Sequence, residues 1–357
     1  MNQRLLKLRE SFSGLQVEGF LTDSAANRRY LSGFTGSTGT VLVSEKDAKF
    51  ITDFRYVDQA KEQCAGFEVV NNQRSMITAI AEQVKAMGIK RLGFEKKAVS
   101  YGTFQDWSAA LEGVELVPTV GIVEELRMFK DENEISTIRT AACIADDAFT
   151  HILPFIKPGA REIDIALEME FYMRKQGATA AAFDIIVASG VRGALPHGVA
   201  SMKIIEAGDM VTLDFGALYK GYCSDITRTV SVGEPNPKLK EIYDIVLKAQ
   251  LNGVENIRAG MTGKEADALT RDIIAAAGYG DAYGHSAGHS FGLEVHESPS
   301  LSTVSESILE PGMMVTVEPG IYVSGLGGVR IEDDVLITEN GCEIITKSTK
   351  ELLILPV

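Results

Sequence analysis

The sequence predicts two domains, an α/β domain over residues 1–124 and a larger α+β domain over residues 125–357. Short runs rich in Val, Ile, Phe and Thr alternate with helical patterns in the first third of the chain. Long amphipathic helices and antiparallel hairpin patterns follow in the rest. A chain of 357 residues with 45% hydrophobic content can fill two hydrophobic cores.

Strand patterns come first in the smaller domain, at VEGFLT, GTVLVS, AKFIT and FEVV, and ITAIAEQVKAMG then has the period of an amphipathic helix. We place the domain boundary between Val120 and Asp131. The stretch DENEISTIRTAACIADDAFTHIL beyond it predicts a long helix with Asp131 as N-cap and Glu134 three residues on.

Three further helices are predicted in the second domain. REIDIALEMEFYMRKQG stops at Gly177, PKLKEIYDIVLKAQLNGVENIRAG carries Pro237 near its start, and TGKEADALTRDIIAAAG ends in glycine. Hairpin patterns lie between these helices, which favours an α+β arrangement.

Composition and charge exclude several classes of function. A net charge of -14 opposes binding to nucleic acid or to anionic membranes, because phosphate affinity needs clustered Lys and Arg. The four cysteines form no CxxC pair, and no apolar run approaches the thickness of a bilayer. MNQRLLKLRE is charged and helical rather than a secretion signal, so we expect a cytoplasmic protein.

Two aspartates stand in the hairpin pattern TLDFGALYKGYCSDITRT. A turn centred between Tyr219 and Lys220 would place Asp214 directly opposite Asp225. Opposed carboxylates repel each other unless a cation or a shared proton lies between them. For one such pair alone, acids that splay into water are the alternative.

A second hairpin pattern with two opposed acids is found in VTVEPGIYVSGLGGVRIEDDVLIT. Glu318 and Glu332 are equidistant from Gly325, so a hairpin that turns in SGLGG faces them together. Pro319 is expected to bulge or end the strand. Arg330 lies on the face of Glu332, where it can support a ligand carboxylate.

Histidines cluster near these acids. His285, His289 and His296 fall within YGHSAGHSFGLEVHESP, and His197 stands in a glycine-flanked loop. A lone histidine is usually structural, and GHSAGH is not HExxH because Ser286 takes the position of the glutamate. Four carboxylates and one imidazole suit Mn, Co, Fe or Mg, and a cation pair about 3.5 to 4 Å apart can hydrolyse an amide without a protein nucleophile.

GDMVTLDFGALYKGYCSDITRT, HSAGHSFGLEVHE, VEPGIYV and GGVRIEDD resemble the metal-site motifs of the Xaa-Pro peptidases, aminopeptidase P and prolidase. The resemblance covers about residues 125–350, and NRRYLSGFTGS adds a weaker likeness in the first domain. It implies the pita-bread (creatinase/aminopeptidase-like) fold and two divalent metal ions per chain. Manganese is the expected metal, with Co, Zn or Fe as alternatives. It also implies these ligands: Asp214, Asp225, His289, Glu318 and Glu332, with Asp225 and Glu332 bridging.

The resemblance further implies roles in catalysis. His197 would contact the substrate or transition state, His296 would hold the scissile carbonyl, and Glu318 would pass a proton to the leaving nitrogen. Arg330 completes the predicted catalytic set. The implied substrate is a short peptide with proline second, and the implied assembly is a homodimer.

Phe183 and His285 are the predicted substrate-binding residues, with a core position as the alternative for Phe183. Three positions depart from the pattern of many relatives. Ser290 replaces Gly, Gly193 replaces Ser, and Ser300 stands where dipeptide-cleaving relatives carry an Arg for the substrate carboxylate. Aminopeptidase and dipeptidase activity therefore stay open.

Four other classes of protein share parts of this pattern. A methionine aminopeptidase has the same ligands but normally lacks the N-terminal domain, and a creatinase-like enzyme lacks the full ligand set. A non-catalytic pita-bread binding protein would not need every ligand. A metal-free carboxylate-dyad hydrolase would use two acids but would not need His289.

Overall fold

The computed structural model describes residues 2–357, which divide into two compact units that end and begin at Arg127 and Met128. The boundary predicted from the sequence lies three residues earlier, between residues 124 and 125. No helix within residues 2–357 combines the length and apolar character of a membrane span.

The first unit is built on one six-stranded sheet of order β4-β3-β2-β1-β5-β6. Its strands are β1 (Gly19–Thr22), β2 (Thr40–Ser44), β3 (Ala48–Thr52), β4 (Glu68–Asn71), β5 (Arg91–Glu95) and β6 (Glu115–Thr119). The four predicted strand patterns coincide with β1 to β4. Central strands β1 and β2 are buried along their whole length, which explains their nearly continuous apolar sequence.

Seven helices lie in the described part of this unit, from residue 2 onward, and the last of them ends one residue past it. They are α1 (Gln3–Glu10), α2 (Phe12–Leu15), α3 (Ala25–Ser32), α4 (Val57–Gln63), α5 (Met76–Ala86), α6 (Tyr101–Ala110) and α7 (Ile122–Met128). The apolar face of α5 buries Ile80 and Val84 in a core with Leu21, Leu42 and Trp107. The predicted helix ITAIAEQVKAMG is confirmed as α5.

The second unit holds four long helices: α8 (Glu132–Ile152), α9 (Glu162–Lys175), α10 (Pro237–Asn256) and α11 (Gly263–Ala276). All four match predicted helices. The predicted capping box is present at the start of α8, where the Asp131 side chain accepts from the backbone N–H of Glu134 and the Glu134 side chain accepts from that of Asp131. Helix α10 begins at Pro237, where a missing N–H costs no helical hydrogen bond.

The strands of the second unit pair mostly antiparallel, as an α+β domain requires. They are β7 (Ala180–Ala181), β8 (Ile186–Ser189), β9 (Met210–Phe215), β10 (Ala217–Tyr219), β11 (Tyr222–Cys223), β12 (Ile226–Val232), β13 (Gly288–Ser290), β14 (Glu297–Leu301), β15 (Met314–Val317), β16 (Gly320–Val323), β17 (Gly327–Arg330), β18 (Asp333–Thr338), β19 (Gly341–Ile344) and β20 (Ile354–Leu355). The two larger sheets have the orders β20-β12-β9-β8 and β14-β13-β15-β18-β19.

The first acidic hairpin forms, but its predicted register is wrong by two residues. Asp214 pairs with Thr227 rather than with Asp225, because the turn is centred between Lys220 and Gly221. Both turn residues have positive φ, 45° and 79°, which matches the twist of a two-residue hairpin turn. A shift of two residues preserves the face of the sheet, so the two aspartates still share a side.

The second acidic hairpin has the predicted register. Gly320 pairs with Arg330 in the β16–β17 ribbon, and Val317 pairs with Asp333 further along, so the hairpin is centred on Gly325. Pro319 separates β15 from β16, as expected for a residue that cannot donate to a ladder.

Candidate metal centre

The five predicted ligands lie at strands or strand ends of the second unit. Asp214 is in β9, Asp225 just precedes β12, and His289 is in β13. Glu318 directly follows β15 and Glu332 directly precedes β18. A backbone hydrogen bond of 3.1 Å from Glu332 to the carbonyl of Thr227 joins the two acidic hairpins.

His289 is surrounded by these acids. Its Nε2 lies 3.4 Å from Oε1 of Glu318 and 3.8 Å from Oδ2 of Asp225. Ligand atoms of Asp225, His289 and Glu332 all lie within 4.8 Å of one another, which is close enough to share one ion. The structure therefore brings Asp225 of the first hairpin and Glu318 and Glu332 of the second close to His289.

The electrostatics of the cluster favour a bound cation. Burial raises the pKa of Asp225 and of Glu332 well above their usual range, and repulsion by neighbouring carboxylates adds to both shifts. Burial also raises the pKa of Glu318 and lowers that of His289. The buried Oδ1 of Asp225 has no hydrogen-bond partner. Divalent cations would supply that partner and offset the repulsion, so the residues present fit a metal site.

Arg330 supports Asp214 on one side of the cluster. Its Nη2 donates to Oδ2 of Asp214 at 2.6 Å, its Nη1 donates to the Tyr322 hydroxyl at 2.8 Å, and its Nε donates to Thr227 at 3.2 Å. The Arg330 side chain is only 4% exposed, so with these three partners it has no free donor directed at a substrate carboxylate.

His285 contacts Tyr322, the same tyrosine that Arg330 contacts. Its Nε2 is 2.8 Å from the Tyr322 hydroxyl, and its Nδ1 is 4.0 Å from Oε2 of Glu318. Burial raises the pKa of Tyr322 to about 12, which keeps the phenol protonated. The sequence reasoning did not single out Tyr322, although it stands in the quoted motif VEPGIYV.

His296 and His197 are both exposed. The rings of His296 and His289 are 4.3 Å apart between centroids. Partial desolvation lowers the pKa of His296, and the nearby charges of His289 and His197 act in the same direction. Phe183 is half-buried and stands outside the buried hydrophobic clusters of the described chain, which disfavours the core alternative.

Three residues that the sequence reasoning passed over hold the ligands in place. The Thr227 hydroxyl donates to Oε2 of Glu332 at 2.5 Å, and Oδ2 of Asp334 accepts from the backbone N–H of Asp225 at 3.0 Å. Lys130 donates to the Ser290 hydroxyl at 3.1 Å, beside His289. The acidic run IEDD could have indicated Asp334 as a residue of the site. The sequence around Thr227 and around Lys130 contains no comparable signal.

The three departures from the family pattern have different surroundings. Ser290 is fully buried and accepts the hydrogen bond from Lys130. A Cβ on Gly193 would lie 3.1 Å from the backbone nitrogen of Gly328, so the position is tight. Ser300 is exposed and is the strand partner of His289.

Fold and site together define a class, namely a metal-dependent hydrolase with a carboxylate-rich centre carried on antiparallel strands. Two family models match the chain, the metallopeptidase family M24 over residues 136–339 and the creatinase/prolidase N-terminal domain over residues 4–129. The chain belongs to metallopeptidase family M24, and divalent metal ions are the cofactors of this family.

Relatives and solved structures agree with this assignment. An uncharacterized peptidase of Bacillus subtilis, YqhT, is 60% identical over 99% of this chain and 100% of its own length. An Xaa-Pro dipeptidase structure from Bacillus anthracis has a TM-score of 0.98 and 57% identity, with 99% of both chains covered. An X-Pro aminopeptidase structure from Thermotoga maritima has a TM-score of 0.91 and 42% identity, covering 97% and 100% of the two chains. The predicted two-part pita-bread fold is confirmed.

Proposed function

We propose that the chain is a dinuclear-metal Xaa-Pro peptidase, which cleaves the amide bond between an N-terminal residue and proline in short peptides. The observation that carries the proposal is the convergence of buried carboxylates on His289, with a buried oxygen of Asp225 left without a partner. Membership of family M24 and the likeness to the Bacillus anthracis Xaa-Pro dipeptidase support the same activity.

In this proposal two divalent ions are held by Asp214, Asp225, His289, Glu318 and Glu332. When bound, such ions polarise a carbonyl and lower the pKa of a water molecule. The ligand set is rich in hard oxygen donors, for which we propose manganese as the working metal. Arg330 and Thr227 fix the carboxylates of Asp214 and Glu332 before any substrate arrives.

The remaining steps belong to side chains of the site. Glu318, which accepts a hydrogen bond of 3.2 Å from Thr316, is the group that passes a proton to the leaving proline nitrogen. His296 and His197 donate N–H groups to the carbonyl oxygen as negative charge develops on it. His285 and Phe183 border the substrate.

Proline suits this chemistry because an Xaa-Pro bond is a tertiary amide without an N–H. A peptidase that needs a hydrogen bond from this backbone N–H cannot bind such a bond productively. A site that acts on the carbonyl does not need that N–H. We propose that substrates are not restricted to dipeptides. Arg330 is already engaged by Asp214, and Ser300 offers no charge to a C-terminal carboxylate.

The test uses metal-depleted enzyme resupplied with Mn, Co or Zn. We expect about two metal ions per chain by elemental analysis, the highest turnover with Mn, and cleavage of both Xaa-Pro and Xaa-Pro-Yaa peptides. His289→Ala should lose metal and activity. His151→Ala removes a histidine of α8 that pairs with Glu168 of α9, and it should retain both. Release of methionine from peptides without proline would indicate the methionine aminopeptidase alternative.

A fully metal-loaded chain without turnover on any of these peptides would instead support the non-catalytic binding protein. The homodimer and the cytoplasmic location stay predictions from the sequence. Sedimentation velocity at micromolar concentration measures the first, with one species of twice the chain mass as the expected result.

A further inference from the structure

The loop of residues 190–200, which begins with a 3-10 turn at Gly190–Ala194, carries His197 and leaves its large apolar side chains exposed. Val191, Leu195 and Val199 are 57%, 52% and 45% exposed. A segment with so few buried apolar contacts would ordinarily open at low cost. A catalytic histidine, in contrast, has to be held within a fraction of an ångström of its working position. Polar contacts therefore have to contribute to the order of this loop, beside the close packing of Gly193 against Gly328.

One carboxylate outside the metal centre collects hydrogen bonds from both ends of the loop. Glu162, the first residue of α9, has a side chain with no exposed surface. Its Oε1 accepts from the backbone N–H and the hydroxyl of Ser189, both at 2.8 Å. Its Oε2 accepts from the backbone N–H of Ser201 at 3.1 Å and from the Ser201 hydroxyl at 2.6 Å. Ser189 and Ser201 directly flank the loop.

Arg192 extends this connection into the loop itself. Its Nη1 donates to Oε2 of Glu162, and its Nη2 donates to the carbonyl of Val199 at 2.9 Å. The backbone N–H of Val199 in turn donates to the carbonyl of His197 at 2.9 Å. Arg192 thus links the Glu162 carboxylate to the carbonyl of Val199, two residues after His197, by charge-assisted hydrogen bonds.

We propose that Glu162 is a positioning residue for His197, acting through Ser189, Ser201 and Arg192. The proposal rests on the proposed function only in so far as His197 contributes to catalysis. Glu162 accepts from five donors, of which the two on Ser189 are fully buried. Replacing one of its carboxylate oxygens leaves donors without an acceptor, which loosens the loop rather than the metal centre.

The first test is Glu162→Gln, with Glu168→Gln as the matched control because it makes the same change on the same helix at the residue paired with His151. We expect Glu162→Gln to lower kcat/KM for Xaa-Pro peptides about 10- to 100-fold with unchanged metal content. In a His197→Ala background the same substitution should lower activity by less than 2-fold, because its effect runs through His197. Equal losses in both backgrounds would overturn the proposal in favour of a general structural role.

The second test does not depend on turnover. Hydrogen–deuterium exchange of peptides that cover residues 190–200 should speed up at least 10-fold in Glu162→Gln and stay unchanged in Glu168→Gln. Unchanged exchange in Glu162→Gln overturns the positioning role even if the chain cleaves Xaa-Pro bonds. Absence of all activity in the parent enzyme, with faster exchange in the variant, would overturn the proposed function alone.

If Glu162→Gln does not fold, Ser201→Ala provides a milder change. It removes the hydroxyl that donates at 2.6 Å and leaves the backbone N–H in place. A loss of several-fold in kcat/KM that disappears in the His197→Ala background supports the proposal, and a loss that persists there contradicts it.

Discussion

Thr227 shows how one neutral side chain can organise a charged site. Its buried hydroxyl donates to Oε2 of Glu332 and accepts from Nε of Arg330, so it fixes a proposed bridging ligand and the support of Asp214 together. It also stands opposite Asp214 in the ladder. Partners of this kind orient metal ligands without touching the metal.

Thr227→Val keeps the shape of the side chain and removes both hydrogen bonds. We expect metal affinity to fall about 10- to 100-fold, as is typical when an outer partner of a ligand is lost. Competition with a fluorescent chelator measures this, and Thr227→Ser is the control that keeps the hydroxyl. Equal metal affinity in the valine variant and the parent would show that the Thr227 hydroxyl does not contribute to the orientation of Glu332.

Candidate ligands could be proposed from the sequence where residue type and spacing carried the chemistry. The acids of the two hairpins and His289 could be named because carboxylates and an imidazole recur in a recognisable pattern. Thr227 and Lys130 could not be named. Their partners, Glu332 and Ser290, are 105 and 160 residues away, and a threonine in a strand is ordinarily a packing residue.

Among the structural elements, the two acidic hairpins differ in how well the sequence defined them. SGLGG has one obvious centre, whereas LYKG permits two turn centres one residue apart, which change the pairing register by two residues and keep the same face. The Lys220–Gly221 turn was preferred because both residues adopt positive φ. Lysine rarely signals that conformation, which is why the register of the first hairpin was missed by two residues.

Gly216 is required by the register that the structure adopts. It lies across the ribbon from the segment that carries Asp225, and an added Cβ would come within 1.7 Å of the carbonyl oxygen of Ser224. That contact involves backbone on both sides, so it cannot be relieved by a rotamer change.

Gly216→Ala should therefore lower the free energy of unfolding by about 3 kcal/mol and reduce metal content, because Asp225 is displaced along with Ser224. Gly284→Ala is the matched control, since no atom lies within 4 Å of the added Cβ there. Thermal unfolding and elemental analysis report the two effects. A variant as stable and as metal-rich as the parent would contradict the close approach.

At the scale of the whole molecule, the first unit contains a buried carboxylate network of its own. Glu95 is 7% exposed and accepts a hydrogen bond of 2.5 Å from Thr22. Asn27 donates to Glu95 and also to Glu124 at 2.8 Å. Burial raises the pKa of Glu95 to about 7, so folding favours its protonated form.

The stability of the first unit should consequently depend on pH. Below pH 4.5 Glu95 is protonated in both the folded and unfolded chain, and the full stability is present. As the pH rises toward 7 the unfolded chain ionises first, so stability falls by about 3 kcal/mol before levelling off. Glu95→Gln should remove this decline.

Trp107 reports on that transition, because it is the chain's single tryptophan and lies in the core of the first unit. Urea unfolding followed by its fluorescence between pH 4.5 and 8 measures the stability of the parent, Glu95→Gln, and the exposed control Glu82→Gln. The same decline in Glu95→Gln as in the parent would assign the pH dependence to another group.

The sequence by itself determined the two-part organisation, the capped helices, the two acidic ribbons and the residue types of the metal centre, because each depends on periodicity or spacing within one segment. Only the tertiary structure decided that Thr227, Lys130 and Asp334 lie beside the candidate ligands. It also decided that Glu162 accepts hydrogen bonds from both ends of the loop that carries His197. Those contacts join segments 27 to 160 residues apart. Their formation depends on how sheets and helices pack, and no local pattern encodes that packing.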